Sequence, residues 1–164
     1  MMQLSLIICT YKRAESLLKL LASVKIQTRL PQEILIIDGS PDDETKKALR
    51  HFDLKQVKYH QVKPEERGLT KQRNIGIDLC HKYADIVAFL DDDIILYDNY
   101  FENLLSTYKK YPDAIAAGGY IINDENWYKS DQTEFSKITY CFDGYCRTES
   151  NRFQLRAKFG LAPN

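Results

Sequence analysis

Ile86-Val87-Ala88-Phe89-Leu90-Asp91-Asp92-Asp93-Ile94 is the stretch from which the rest of the chain is read. Its apolar run is too short for an ordinary helix and suits a strand buried in a sheet, and it passes without a spacer into three carboxylates. Adjacent charges of one sign repel, so the cluster is costly unless a cation or well-placed donors neutralise it. A divalent metal is the simplest remedy. If strand geometry persists, Asp91 and Asp93 point to one side and offer oxygen ligands, leaving positions for water and phosphate oxygens as Mg²⁺ and Mn²⁺ prefer. The alternative is an acidic loop whose carboxylates are solvated or cap the following helix.

Outward from this strand, apolar runs alternate with helical patterns. Residues 4–9 (LSLIIC) form a nearly continuous apolar run, broken by Thr10-Tyr11-Lys12-Arg13; Leu17, Leu20, Leu21 and Val24 follow at helical spacing. A second buried run, 34–37, ends at Asp38-Gly39-Ser40, where Ser40, Pro41 and Asp43 read as N-cap, first-turn proline and capping-box acid of a helix to about His51. Residues 57–62 alternate like a more exposed strand, and 63–68 form a charged loop. Leu69, Ile75, Leu79 and Tyr83 mark a helical stripe; beyond the acidic cluster come a helix over about 97–111 and a strand near 114–122. This order predicts an α/β fold, a Rossmann-like, mostly parallel sheet with helices on both faces. Residues 1–122 make that core, and 123–164, where the pattern degrades, an irregular lobe packed on it.

With 164 residues, 44% apolar and 28% charged, the chain suffices for one core. Lys+Arg and Asp+Glu balance at 23 each, so no overall field attracts a polyanion and nucleic acid is not expected as a partner. No stretch approaches the roughly 20 apolar residues of a membrane span, and no basic signal region precedes one, so the expected address is the cytosol or the inner face of a membrane. Cys9 and Cys80 read as small buried hydrophobes; Cys141 and Cys146 lack further ligands for zinc and read as free thiols.

In open α/β sheets, ligands bind beyond the carboxyl ends of the strands, and three polar clusters fall there: 10–13, 38–40 and 91–93. Asp38 has the position from which an acid meets a base N–H or a ribose hydroxyl, or else it is a turn-forming Asp before Gly39. Lys71 and Arg73, in the first turns of their helix, suit phosphate oxygens, or else belong to a solvated helix face. G-x-G-x-x-G after the first strand and G-x-x-x-x-G-K-[ST] are both missing, which weakens dinucleotide and P-loop readings. Gly118-Gly119 reads as a bulge or close backbone approach, and scattered His51, His60 and His81 receive no catalytic role.

Four segments in order, LIICTYKR (6–13), ILIIDGSPD (34–42), GLTKQRNIG (68–76) and FLDDDI (89–94), closely resemble the family 2 glycosyltransferases over roughly residues 3–122. The resemblance implies an A-type glycosyltransferase fold and a nucleotide-diphosphate-sugar donor, UDP-sugar being the commonest choice. It places the Cys9, Thr10 and Tyr11 loop and Asp38 around base and ribose. Asp91, Asp92 and Asp93 correspond to the family's D-x-D motif, with Asp93 the foremost ligand of Mn or Mg, joined by Asp91. The chain departs from the family at Cys9, where proline is usual, and at the single Asp38 before Gly39-Ser40, where two acids often stand.

The expected function is therefore a metal-dependent, hexosyltransferase-type glycosyltransferase acting on an unknown acceptor with inversion. A carboxylate would take the acceptor's proton while the metal stabilises the departing diphosphate. Family domains commonly run on to an acidic motif supplying that base, so the chain reads as C-terminally truncated, and no downstream acid is singled out. The alternatives are a nucleotide-binding remnant without transfer, and a sugar nucleotidyltransferase. The latter should carry a glycine-rich loop soon after the first strand, where 11–15 has no glycine.

Overall fold

The computed structural model describes residues 2–119 and the backbone of three later strands. The elements are β1 (Leu4–Thr10), α1 (Ala14–Lys25), β2 (Glu33–Asp38), α2 (Glu44–Arg50), β3 (Val57–Gln61), a 3-10 turn (Pro64–Glu66), α3 (Leu69–Leu79), β4 (Ile86–Asp91) and α4 (Tyr100–Lys110), then β5 (Trp127–Lys129), β6 (Thr139–Phe142) and β7 (Tyr145–Thr148). The chain divides into two compact units, 1–105 and 106–164. In the second, β5, β6 and β7 make an antiparallel sheet in the order β5-β7-β6, with Cys141 opposite Cys146 in the register.

The first unit is a parallel sheet in the order β3-β2-β1-β4. The two central strands are apolar at nearly every position because both their faces are covered: Leu6, Ile7, Ile8, Ile34, Ile36 and Ile37 are all fully buried. β3 lies at one edge and alternates, as its sequence predicts. The chain steps outward from β1 through β2 to β3, then returns across the sheet to lay β4 beside β1. Right-handed crossovers in both directions put α1 and α2 on one face and α3 on the other. Consistently, α1 packs on α2, while Ile75 and Cys80 pack on Ile7, Leu35, Ile37 and Val62.

α3 approaches the sheet closely because position 76 is glycine. A Cβ there would lie 2.5 Å from Cγ2 of Ile7. Its buried positions are Gln72 and Gly76, whereas Leu69, Leu79 and Tyr83 are exposed and the helix ends at Leu79. The apolar stripe expected over 69–83 is thus displaced: a side-chain amide and a glycine occupy the sheet-facing row, because one must satisfy backbone groups and the other must leave room.

Other expectations are corrected as well. β4 is buried on one face only, with Val87 and Phe89 exposed; an apolar run does not distinguish one covered face from two. α2 begins after Asp43, not Ser40, because the Ser40 hydroxyl is taken by the backbone N–H of Lys12 at 2.8 Å. Residues 114–119 form no strand, and 120–122 of that expected element lie outside the described residues. The acids considered downstream at 124, 125, 131, 134, 143 and 149 also lie outside them. No helix among the described residues is long and apolar enough to cross a membrane.

Candidate functional site

The fold reverses direction between β1 and β4, so the carboxyl ends of these neighbouring strands lead away from each other and leave a crevice. A cleft of about 790 Å³ lies there, lined by Cys9, Thr10, Tyr11, Arg13, Arg67, Gly68, Leu69, Gln72, Asp91, Asp92 and Asp93. Its size lies within the ordinary range of small-molecule sites.

Parallel pairing sets Cys9 against Asp91 and so carries the acidic cluster to the loop after β1. Burial then alternates through the cluster: Asp91 and Asp93 are exposed and Asp92 is buried. Asp92 turns inward to accept a 2.7 Å hydrogen bond from the Thr10 hydroxyl and a 3.2 Å bond from Arg13 Nη1. The same Arg13 nitrogen lies 3.0 Å from Asp93 Oδ2, and Arg73 Nη2 lies 3.1 Å from Asp91 Oδ1. The repulsion among the three carboxylates is therefore relieved within the chain by two guanidinium groups. Arg73 also sits 5.6 Å from the centroid of the exposed Phe89 ring, which fixes its approach to Asp91.

No group of three metal-ligating residues converges among the described residues. The donors nevertheless suit a hard cation. Asp91 and Asp93 are exposed and each is drawn to an arginine, and Mg²⁺ and Mn²⁺ sites commonly use one or two carboxylates with waters and substrate phosphates completing the shell.

The loop floor is built by hydrogen bonds. Asp38 is fully buried; its Oδ1 accepts the Ser40 N–H at 2.8 Å and its Oδ2 accepts the Tyr59 hydroxyl at 2.8 Å. Burial and this bond push the Tyr59 phenol well above its ordinary range. Ser40 in turn holds Lys12, the one non-glycine with positive φ among the described residues, at φ 53°. Asp38 thus anchors the turn that supports the 10–13 loop and does not line the cleft. Gln72 closes the floor from α3: its Nε2 donates to the carbonyls of Ile37 at 2.8 Å and Thr10 at 3.3 Å, and its Oε1 accepts from Gly68 N–H at 3.2 Å.

Of the residues singled out in the sequence, Cys9, Thr10, Tyr11, Asp91, Asp92 and Asp93 come together on the cleft, and Arg73 reaches it through Asp91. Lys71 does not; its ammonium meets the Glu65 carbonyl at 2.8 Å. Cys9 is no nucleophile, since burial pushes its thiol up to about 11. Sequence reasoning missed Arg67, Gln72 and Tyr59, and gave no individual role to Arg13. Only Arg13 carried a signal, as the last member of the polar 10–13 cluster.

A second cavity of about 230 Å³ opens at the amino-terminal ends of the strands, beside Ser5, Glu33, Lys58 and His81. Burial raises the pKa of Glu33, but bonds from the Ser5 hydroxyl, the His81 N–H and Lys58 outweigh it and hold the carboxyl at about 2. Its oxygens are satisfied within the chain, so this cluster ties β1, β2, β3 and the end of α3 together and is not a second binding site.

The motifs at this cleft agree with comparison to known proteins. The family model described as Glycosyl transferase family 2 matches residues 5–162. The chain is 34% identical over 126 residues to a glucosyl-dolichyl phosphate glucuronosyltransferase of Haloferax volcanii, covering 75% of this chain and 39% of that one. It is 30% identical over 109 residues to a GalNAc(5)-diNAcBac-PP-undecaprenol beta-1,3-glucosyltransferase of Campylobacter jejuni, covering 65% and 33%. The chain thus spans little more than a third of the length of these relatives. In fold it is similar to S. aureus TarS 1–349, solved in complex with UDP-GlcNAc, with TM-score 0.59 and 21% identity over 68% of this chain and 32% of that one. A parallel sheet reversing between β1 and β4, an acidic cluster at that reversal and a family match along almost the whole sequence lead to one assignment: the chain belongs to the family 2 glycosyltransferases and has their A-type fold.

Proposed function

We propose that this cleft binds a nucleotide-diphosphate sugar, with UDP-sugar the donor, for inverting hexosyl transfer to an acceptor hydroxyl. The observation that carries the reading is the convergence of Thr10 and Tyr11 with Asp91, Asp92 and Asp93 on one cleft at the reversal of the sheet. Tyr11, half exposed at the end of β1, offers its ring as a stacking surface for the base. Asp92, locked by Thr10 and Arg13, sets the position of its two neighbours. A divalent cation held by Asp91 and Asp93 supplies charge stabilisation to the departing diphosphate. Arg13 and Arg73 orient those two carboxylates and moderate their mutual repulsion.

A second reading, nucleotide binding without transfer by this chain alone, is favoured by one feature. Apart from the three aspartates, no residue lining the described cleft is a carboxylate or histidine able to take the acceptor's proton at neutral pH.

Isothermal titration of UDP and GDP, with and without Mn²⁺, into the wild type and Asp93→Ala tests the donor site. Metal-dependent UDP binding lost in the variant is expected, and absence of binding by folded wild type removes the proposal. Assay of sugar transfer by this chain and by a longer form then separates the two readings.

A further inference from the structure

The junction between the 3-10 turn and α3 presents donors that the acidic cluster does not use. Arg67, Gly68 and Leu69 line the cleft. Arg13 and Arg73 are held by carboxylates, but Arg67 takes part in no ion pair among the described residues, and its Nε is buried without a hydrogen-bond partner. A buried guanidinium N–H without an acceptor is unfavourable unless a ligand supplies one.

The neighbouring backbone points to the same chemistry. α3 opens at Gly68, with φ 121°, and has neither a side-chain cap nor an acidic residue in its first turn. Gly68 N–H is engaged by Gln72, so the N-terminal amides that follow it remain for an outside acceptor. A Cβ placed on Gly68 would meet nothing within 4 Å, so the space beside this junction is open. Several N–H groups of a helix N-terminus beside a guanidinium suit a multi-oxygen anion better than a neutral group.

We propose that Arg67, together with the first-turn amides of α3, forms an oxyanion subsite of this cleft that takes a phosphate group of the bound nucleotide diphosphate. The assignment rests on the reading of the cleft as a nucleotide-diphosphate-sugar site. It adds a contact on the β3–α3 side that is separate from the aspartates and depends on no cation.

The test is an amide-resolved NMR titration of ¹⁵N-labelled wild type, Arg67→Gln and Asp93→Ala, first with inorganic pyrophosphate without metal and then with UDP and Mg²⁺. The spectra report folding of each variant directly. Saturable pyrophosphate shifts at the amides of 68–70 are expected in wild type and Asp93→Ala, with affinity reduced on the order of tenfold in Arg67→Gln. Absence of saturable binding, shifts confined elsewhere, or equal affinity in Arg67→Gln overturns the subsite. The UDP arm reads the parent proposal separately: Mg²⁺-dependent UDP binding unchanged in Arg67→Gln keeps the donor site and rejects this one, whereas no UDP binding by wild type rejects the donor site.

Discussion

The hydroxyl of Thr10 donates a 2.7 Å hydrogen bond to Oδ2 of Asp92, a residue 82 positions away, and joins the end of β1 to the segment after β4. Both residues are buried, so the bond is formed to a carboxylate with little access to water. Replacement by the near-isosteric valine leaves Arg13 as the principal partner of that oxygen pair. Thr10→Val is expected to lower stability by about 1.5–3 kcal/mol and to weaken UDP binding several-fold. Urea unfolding and calorimetric titration check the two effects; a stability change within about 0.5 kcal/mol would place Thr10 among ordinary surface substitutions.

Arg13 competes with any cation for Asp92 and Asp93. Arg13→Met removes one positive charge beside three negative ones, and attraction for a divalent ion rises accordingly. Free Mn²⁺, followed by electron paramagnetic resonance, should therefore bind the variant more tightly in the absence of nucleotide. Weaker binding would mean that Arg13 organises the carboxylates for the ion and does not oppose it.

Gly76 is set by packing. Alanine gains about 1 kcal/mol of helix propensity, but its Cβ would fall 2.5 Å from Cγ2 of the fully buried Ile7. Overpacking of this kind costs about 1–3 kcal/mol, so Gly76→Ala should be net destabilising and lower the melting temperature. A melting temperature equal to or above wild type would show that α3 can lift from the sheet at no cost.

Glu33 makes stability pH-dependent. Its folded pKa of about 2 lies below the ordinary value of 4.5, so its contribution is complete above about pH 5 and is lost as pH falls toward 2. The size is on the order of 2–3 kcal/mol. Urea midpoints at pH 6 and pH 3 should differ more for wild type than for Glu33→Gln, whose side chain does not titrate. Parallel losses in the two proteins would assign the acid sensitivity to other groups.

Much of the architecture was legible because it depends on local pattern. Residues 4–9, 34–37 and 86–90 are apolar without interruption, and each passes into polar residues at the place where its strand stops. The helical period of Leu17, Leu20, Leu21 and Val24 matches the buried row of α1. The polar clusters after β1 and β4 could be placed at one rim from topology alone, and six of their residues share the cleft. The α3 stripe was misread for a physical reason: Gln72 is polar and Gly76 has no side chain, so neither registers in an apolar period, yet both face the sheet.

What the sequence by itself determined is the alternation of strands and helices, the carboxyl-end position of the acidic cluster and membership of the family, since these reside in runs, periods and ordered motifs. Only the tertiary structure decided that two arginines answer the repulsion of Asp91, Asp92 and Asp93, that Asp38 is spent on Ser40 and Tyr59, and that Lys71 turns away while Arg67 lines the cleft. Hydrogen bonds and ion pairs of this kind join residues up to 82 positions apart, and their partners are chosen by strand register and side-chain reach, which no local pattern encodes.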